Sequence, residues 1–364
     1  MTGSGDRTPV PVTVLTGFLG SGKTTVLNHL LRRRDMQGVV AIINEFGEVG
    51  LDHLLIETTE ERFALLDNGC ICCSVRDDLI ETLRDLESRR EVGTLPAVHR
   101  VLVETTGLAD PVPILHTLMT SPDLLGHYRV DGVVVTVDAV NGERTLDGHP
   151  EAVKQIAVAD RILLTKCDLS AEPDIASLTQ RITRLNPTAA LLPTENGGID
   201  AGAIIDAGMF DPATRSRDVG TWFAAAATAA GHNHVHGDHC GPDCGHHRTH
   251  HAHDAGISSF SLTVSEPVRW AAFAQWLDYV ASLKGDDLLR FKGLVHIAER
   301  PGKPVVVHGV QHVFHPPIEL DNWPTADRAT RLVFIVRNIP REVIERTLIR
   351  FAAISRDAIQ RPAA

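Results

Sequence analysis

The chain has 364 residues, which sets an expectation of roughly two domains of about 150 residues each. Its composition, 43% hydrophobic and 22% charged, is that of a folded protein and excludes a wholly disordered one. With 35 basic against 46 acidic residues the net charge is −11, the wrong sign for a nucleic-acid binder that works by counterion release.

In chain order, Val12–Thr16, Val39–Ile43, Val98–Val103, Gly132–Val137 and Arg161–Thr165 are short runs dominated by Val, Ile and Leu. Such runs read as strands buried on both faces of a parallel sheet. Thr24–Arg34, Arg76–Arg90, Val112–Met119 and Asp174–Leu185 read as intervening helices. The alternation predicts an α/β doubly wound, mainly parallel sheet over residues 1–220. Residues 221–256 are low in complexity and turn-rich, and read as a flexible linker. A smaller C-terminal α+β domain is expected over 257–364. Its strands are Ile257–Val264, Leu288–Ala298, Val305–Val310 and Arg331–Val336, and its helices Pro267–Leu283 and Arg341–Ala352. On the first of these helices Trp270, Phe273 and Trp276 recur at helical spacing and read as core. No stretch approaches the roughly 18 apolar residues of a membrane span, and the polar start Met1–Thr8 lacks the apolar core of a signal peptide. The expected setting is the cytoplasm, with neither membrane nor nucleic acid as partner.

The motif Gly17-Phe-Leu-Gly20-Ser21-Gly22-Lys23-Thr24 matches G-x-x-x-x-G-K-[ST], follows a predicted strand and opens a predicted helix. Its glycines let backbone N–H groups turn toward phosphate oxygens, and the helix N-terminus adds partial positive charge. Lys23 is expected to reach the β- and γ-phosphates and Thr24 to ligate Mg²⁺, with Thr25 beside them. Thr165-Lys166-Cys167-Asp168 ends another predicted strand and resembles the guanine signature N-K-x-D with Thr for Asn. A carboxylate at Asp168 can accept from guanine N1–H and the N2 amino group, a donor pair adenine lacks. Glu104-Thr-Thr-Gly107 ends a third strand as E-x-x-G, where Glu104 can support Mg²⁺ and the Gly107 amide can sense the γ-phosphate. Together the three motifs make the expected sheet one of the P-loop NTPase kind and point to GTP and to catalysis carried by Lys23, Thr24 and Glu104.

Six cysteines are too few for a disulfide scaffold, and three of them, Cys70, Cys72 and Cys73, fall within four residues. Thiolates so placed can hold Zn²⁺ or a similar soft ion. In an extended chain Cys73 points away from Cys70 and Cys72, so a ligand from elsewhere is expected. Glu48 is the first candidate, with Glu45 assigned to Mg²⁺. Two other readings stay open: buried thiols used as small hydrophobes, and redox chemistry at Cys70-x-x-Cys73.

The combined set, G-F-L-G-S-G-K-T-T at 17–25, N-E-F-G-E at 44–48, G-C-I-C-C at 69–73, E-T-T-G at 104–107 and T-K-C-D at 165–168, closely resembles the CobW-type metallochaperone GTPases. Arg290-Phe-Lys-Gly293 resembles that family's C-terminal domain. The resemblance implies a GTPase that binds zinc or cobalt and delivers it to a client metalloprotein or a metal-cofactor biosynthesis component. A nucleotide- or metal-dependent homodimer is a further expectation.

Nine of the 19 histidines crowd into one tract: His232, His234, His236, His239, His246, His247, His250, His251 and His253, interleaved with Cys240 and Cys244. Imidazoles and thiolates in a flexible loop make a multi-site metal reservoir, the alternative being a solvated spacer. His296, His308, His312 and His315 read as surface or satisfied core residues. Two rival functions remain, a nucleotide-dependent small-molecule kinase or ligase and a metal-storage protein. The first has no use for C-x-C-C and the second none for a phosphate loop.

Overall fold

A computed structural model describes residues 8–43, 63–65, 74–94, 97–194, 197–205, 256–324 and 326–360. Of the linker expected at 221–256, every residue but Gly256 lies outside them. Contacts divide the chain into two compact units, one of Met1–Thr145, Lys154–Thr179 and Ala189–Asp211, the other of Leu146–Val153, Gln180–Thr188 and Pro212–Ala364.

The first unit is built on strands β1 (Val10–Gly17), β2 (Val39–Ile43), β3 (Phe63–Leu65), β4 (Arg100–Glu104), β5 (Tyr128–Asp138), β6 (Arg161–Thr165) and β7 (Ala190–Pro193). They form one sheet in the order β3-β2-β4-β1-β5-β6-β7, every pairing parallel. Every residue of β4 is buried, as are nearly all of β1 and β5. Helices α1 (Lys23–Leu31), α2 (Ser74–Val92), α3 (Val112–Thr120), α4 (Gly142–Gly148), α5 (Pro150–Val158) and α6 (Glu172–Leu185) alternate with the strands. Continuous apolar strands of this kind need both faces covered, which the alternation supplies. The chain passes from β1 to β2 on one side and later crosses to β5 on the other, so the carboxyl ends of β1, β4 and β5 border the switch point where doubly wound sheets bind ligands.

β5 begins four residues before the predicted run because Arg129 and Asp131 interrupt its apolar pattern. Asp131 is nonetheless buried, paired with Arg100 of β4 and accepting a hydrogen bond from Thr13 Oγ1 of β1 at 3.0 Å. The polar group is tolerated inside because the neighbouring strands bring its partners.

The second unit carries a sheet in the order β11-β10-β9-β13-β8-β14, with β12 paired to β10, all antiparallel. Its strands are β8 (Ile257–Val264), β9 (Leu288–Val295), β10 (Val305–Val310), β11 (Val313–Phe314), β12 (Ile318–Glu319), β13 (Thr330–Arg337) and β14 (Ile359–Gln360). Two helices, α7 (Trp270–Lys284) and α8 (Arg341–Ala352), lean on it. α7 buries Phe273 and Trp276 completely, with Trp276 edge-on to Phe291 and Phe334 at 6.5 and 6.1 Å, whereas Trp270 stays partly buried at the margin. The aromatic stripe is core. His308 and His315 are buried with rings 4.3 Å apart, and His296 packs edge-on against Trp323. Among the described residues no helix is long and apolar enough to cross a membrane, and no group of three or more His, Cys, Asp or Glu side chains could hold a metal ion.

Candidate functional site

The phosphate loop runs from the end of β1 into α1. At Gly17 a side chain is impossible, since a Cβ would lie 2.3 Å from Thr136 Oγ1 and 2.8 Å from Ser21 Oγ. Gly22, just ahead of α1, has the left-handed φ of 92° that glycine adopts without strain. The loop is tied to its neighbours by hydroxyls: Ser21 Oγ and Thr136 Oγ1 are 2.6 Å apart, and Thr105 Oγ1 donates to Thr16 Oγ1 at 2.7 Å. Lys23 is buried, and its Nζ donates to the carbonyls of Gly17 and Phe18 at 3.0 and 3.3 Å, inside the curve of the loop. A cradle of glycine backbone around a buried ammonium at a helix N-terminus is built for an oligophosphate.

Next to it, Thr24 Oγ1 donates to Glu104 Oε1 at 3.0 Å, joining the first turn of α1 to the end of β4. Hydroxyl and carboxylate oxygens are the hard donors that Mg²⁺ takes, so this pair fits that ion. Gly107 follows three residues on, packed against Leu19 of the phosphate loop. Thr25 is exposed on α1.

The third motif leaves β6 on the other side of the loop. Thr165 is buried, donating to Ser21 O at 2.8 Å and to Val137 O at 3.2 Å. At the position where the guanine signature has Asn, threonine therefore braces the phosphate loop. Lys166 has left-handed backbone angles (φ 57°, ψ 31°), and its Nζ spans Gly20 O and Asp138 Oδ2, each at 2.8 Å. Asp168 is exposed on the short turn Cys167–Leu169. The Cys167 thiol donates to Leu164 O at 3.2 Å.

Sequence reading missed Asp138. It ends β5 beside Thr165, and its Oδ1 accepts from the amides of Val140 and Asn141 at 2.8 and 3.2 Å, while Oδ2 also accepts from Asn141 Nδ2 at 3.0 Å. Burial raises its carboxyl, but hydrogen bonds from the Asn141 and Lys166 side chains and the two amides outweigh it and hold the group below the ordinary carboxylate value. The signal was there: an acidic residue directly after a buried apolar run, at the carboxyl end of a parallel strand.

Glu45, Glu48, Cys70, Cys72, Cys73, the nine histidines of the tract, Cys240 and Cys244 lie outside the described residues.

Residues 11–193 match the model of the CobW/HypB/UreG nucleotide-binding domain, and residues 257–352 match that of the cobalamin synthesis protein cobW C-terminal domain. The chain belongs to the CobW family. Among family members, the zinc chaperone YjiA of Escherichia coli (strain K12) is 32% identical over 92% of this chain and 96% of its own length. The zinc chaperone CobW of Sinorhizobium sp is 30% identical, covering 84% of this chain and 85% of its own. The zinc-regulated GTPase metalloprotein activator 1 of Schizosaccharomyces pombe is 28% identical over 92% and 84%. The crystal structure of Zn(II)-bound YjiA GTPase from E. coli superposes with a TM-score of 0.67 at 28% identity, covering 95% of this chain and 99% of that one.

Proposed function

We propose that this chain is a GTP-hydrolysing metallochaperone. In this reading it binds Zn²⁺, or Co²⁺, through Cys70, Cys72, Cys73 and Glu48 and passes the ion to a client metalloprotein or a metal-cofactor pathway. Relatives named zinc chaperones and a zinc-bound GTPase neighbour support that reading. The observation that carries the coupling is where the chain leaves the sheet. β2 and β3 run parallel to β1, so Ile43 and Leu65 end on the edge that holds the phosphate loop. The segment with Glu45 and Glu48 departs from the first, and Cys70 follows the second by five residues.

The roles follow from chemistry. The glycine loop and Lys23 hold the β- and γ-phosphates, and Thr24 and Glu104 hold Mg²⁺, which when bound screens the charge of the breaking β–γ phosphoanhydride. Asp168 accepts from guanine, and the Gly107 amide contacts the γ-phosphate. Segments that touch the γ-phosphate and Mg²⁺ are ordered by them and released on hydrolysis. GTP therefore assembles the cysteine site and conversion to GDP loosens it for transfer. Linkage demands the reciprocal effect, the metal strengthening GTP binding by the same factor, about 5–150-fold for a coupling of about 1–3 kcal/mol. A nucleotide- or metal-dependent homodimer fits the same scheme.

The test is a metal-competition titration of the apo, GDP-bound and GTP-analogue-bound protein, repeated with Cys72→Ala. Tighter Zn²⁺ binding in the GTP-analogue state, lost in Cys72→Ala, is expected. Equal affinity in all three states overturns the coupling and leaves metal storage beside an independent GTPase. Transfer of phosphate to a small-molecule acceptor would favour a kinase.

A further inference from the structure

Helix α5 buries a glutamine that none of the nucleotide motifs includes. Gln155 is 1% exposed, and its Nε2 donates to two carbonyls of the loop after β4, Gly107 O at 3.2 Å and Ala109 O at 3.0 Å. The preceding residue, Lys154, reaches Asp110 Oδ2 of the same loop at 2.5 Å. From the other side the loop is pressed onto the phosphate loop: a Cβ on Gly107 would lie 2.6 Å from Leu19 Cδ2 and 2.7 Å from Leu19 N. Gly107 is thus clamped between the backbone of the phosphate loop and a buried amide that spends both of its hydrogens on this one loop.

We propose that Gln155 is a positioning residue for GTP hydrolysis, acting through Gly107 and not by touching the nucleotide. The proposal rests on the reading of Gly107 as the γ-phosphate contact. Preorganised donors stabilise a phosphoryl-transfer transition state only when they are held in place before the charge develops. A buried amide donating to two carbonyls of the contact loop does that holding, and an apolar side chain of similar size cannot. GDP has no γ-phosphate, so its affinity is independent of the clamp.

The experiment uses the full chain with Gln155→Leu, and with Gln155→Met should the first fail to fold. Affinities for GDP and for a non-hydrolysable GTP analogue are measured by fluorescence, kcat by phosphate release, and Tm is recorded beside them. The expected result is GDP affinity within about twofold of the parent, weaker analogue binding, and kcat lower by roughly 10- to 100-fold, as for ångström-scale misplacement. An unchanged kcat and an unchanged GTP-to-GDP affinity ratio overturn the proposal, and so does a parallel loss of both nucleotides. Gly107→Ala is measured alongside. If Gly107→Ala loses the discrimination and Gln155→Leu keeps it, only the role of Gln155 fails. If both keep it, the reading of the loop fails.

Discussion

Lys23 and Lys166 hold the same loop from opposite ends, one from inside its curve and one from Gly20 O. They differ in consequence. Lys23→Ala removes the charge proposed to face the phosphates and is expected to abolish GTP hydrolysis, measured as phosphate release. Lys166 is fixed by Asp138, so the proposed base-binding half of the site leans on a carboxylate that pairs with it only while ionised. The folded protein holds that group below its ordinary value, so the stabilisation it supplies is fully present above the unfolded carboxylate value and is lost as pH falls through the lower folded value. Acid denaturation of the parent and of Asp138→Asn is therefore expected to show a stability gap that is constant from about pH 5 upward and closes in the acid range below the ordinary Asp value. Asp168→Asn is expected to weaken GTP selectively, and equal binding of ATP and GTP by calorimetry in the parent would remove the guanine assignment.

At the scale of elements, the three motifs were legible because each packs its chemistry into a few consecutive residues at the end of a strand. Asp138 and Gln155 were not: Asp138 meets Lys166 across 28 residues of sequence, and a single glutamine on a helix leaves no periodic mark. The same physics hid parts of the fold. β3 and β7 have three and four residues, too few for an apolar run to stand out, and the start of β5 was masked by Arg129 and Asp131. That charged stretch is itself testable. Removing one partner of a buried pair strands the other, so Asp131→Ala is expected to cost about 3–5 kcal/mol by urea denaturation. Replacing Arg100 and Asp131 together by apolar residues is expected to cost clearly less. In the second unit Trp276→Ala opens a cavity among Phe273, Phe291 and Phe334 and is expected to cost about 3–5 kcal/mol.

For the whole molecule, one chain carries the Cys70-x-Cys72-Cys73 motif, a histidine tract and a nucleotide-binding domain. Deleting residues 232–253 is expected to lower the number of Zn²⁺ ions bound while leaving one tight site and the GTPase rate, read by metal stoichiometry and phosphate release. Lowering the pH below about 6.5 is expected to release the tract's ions first, as imidazoles take up protons. Unchanged stoichiometry after deletion would make the tract a spacer. The order of strands has a further consequence, in time rather than in space. β1 lies between β4 and β5, pairing Val12 with Val101 and Val10 with Tyr128. At about 5–20 residues per second on the ribosome, β1 emerges some 6–24 s before Tyr128 does. Throughout that interval an apolar strand has an unpaired edge, the feature that invites wrong partners. The phosphate loop is synthesised well before β5, yet its floor is complete only once β5 has been made.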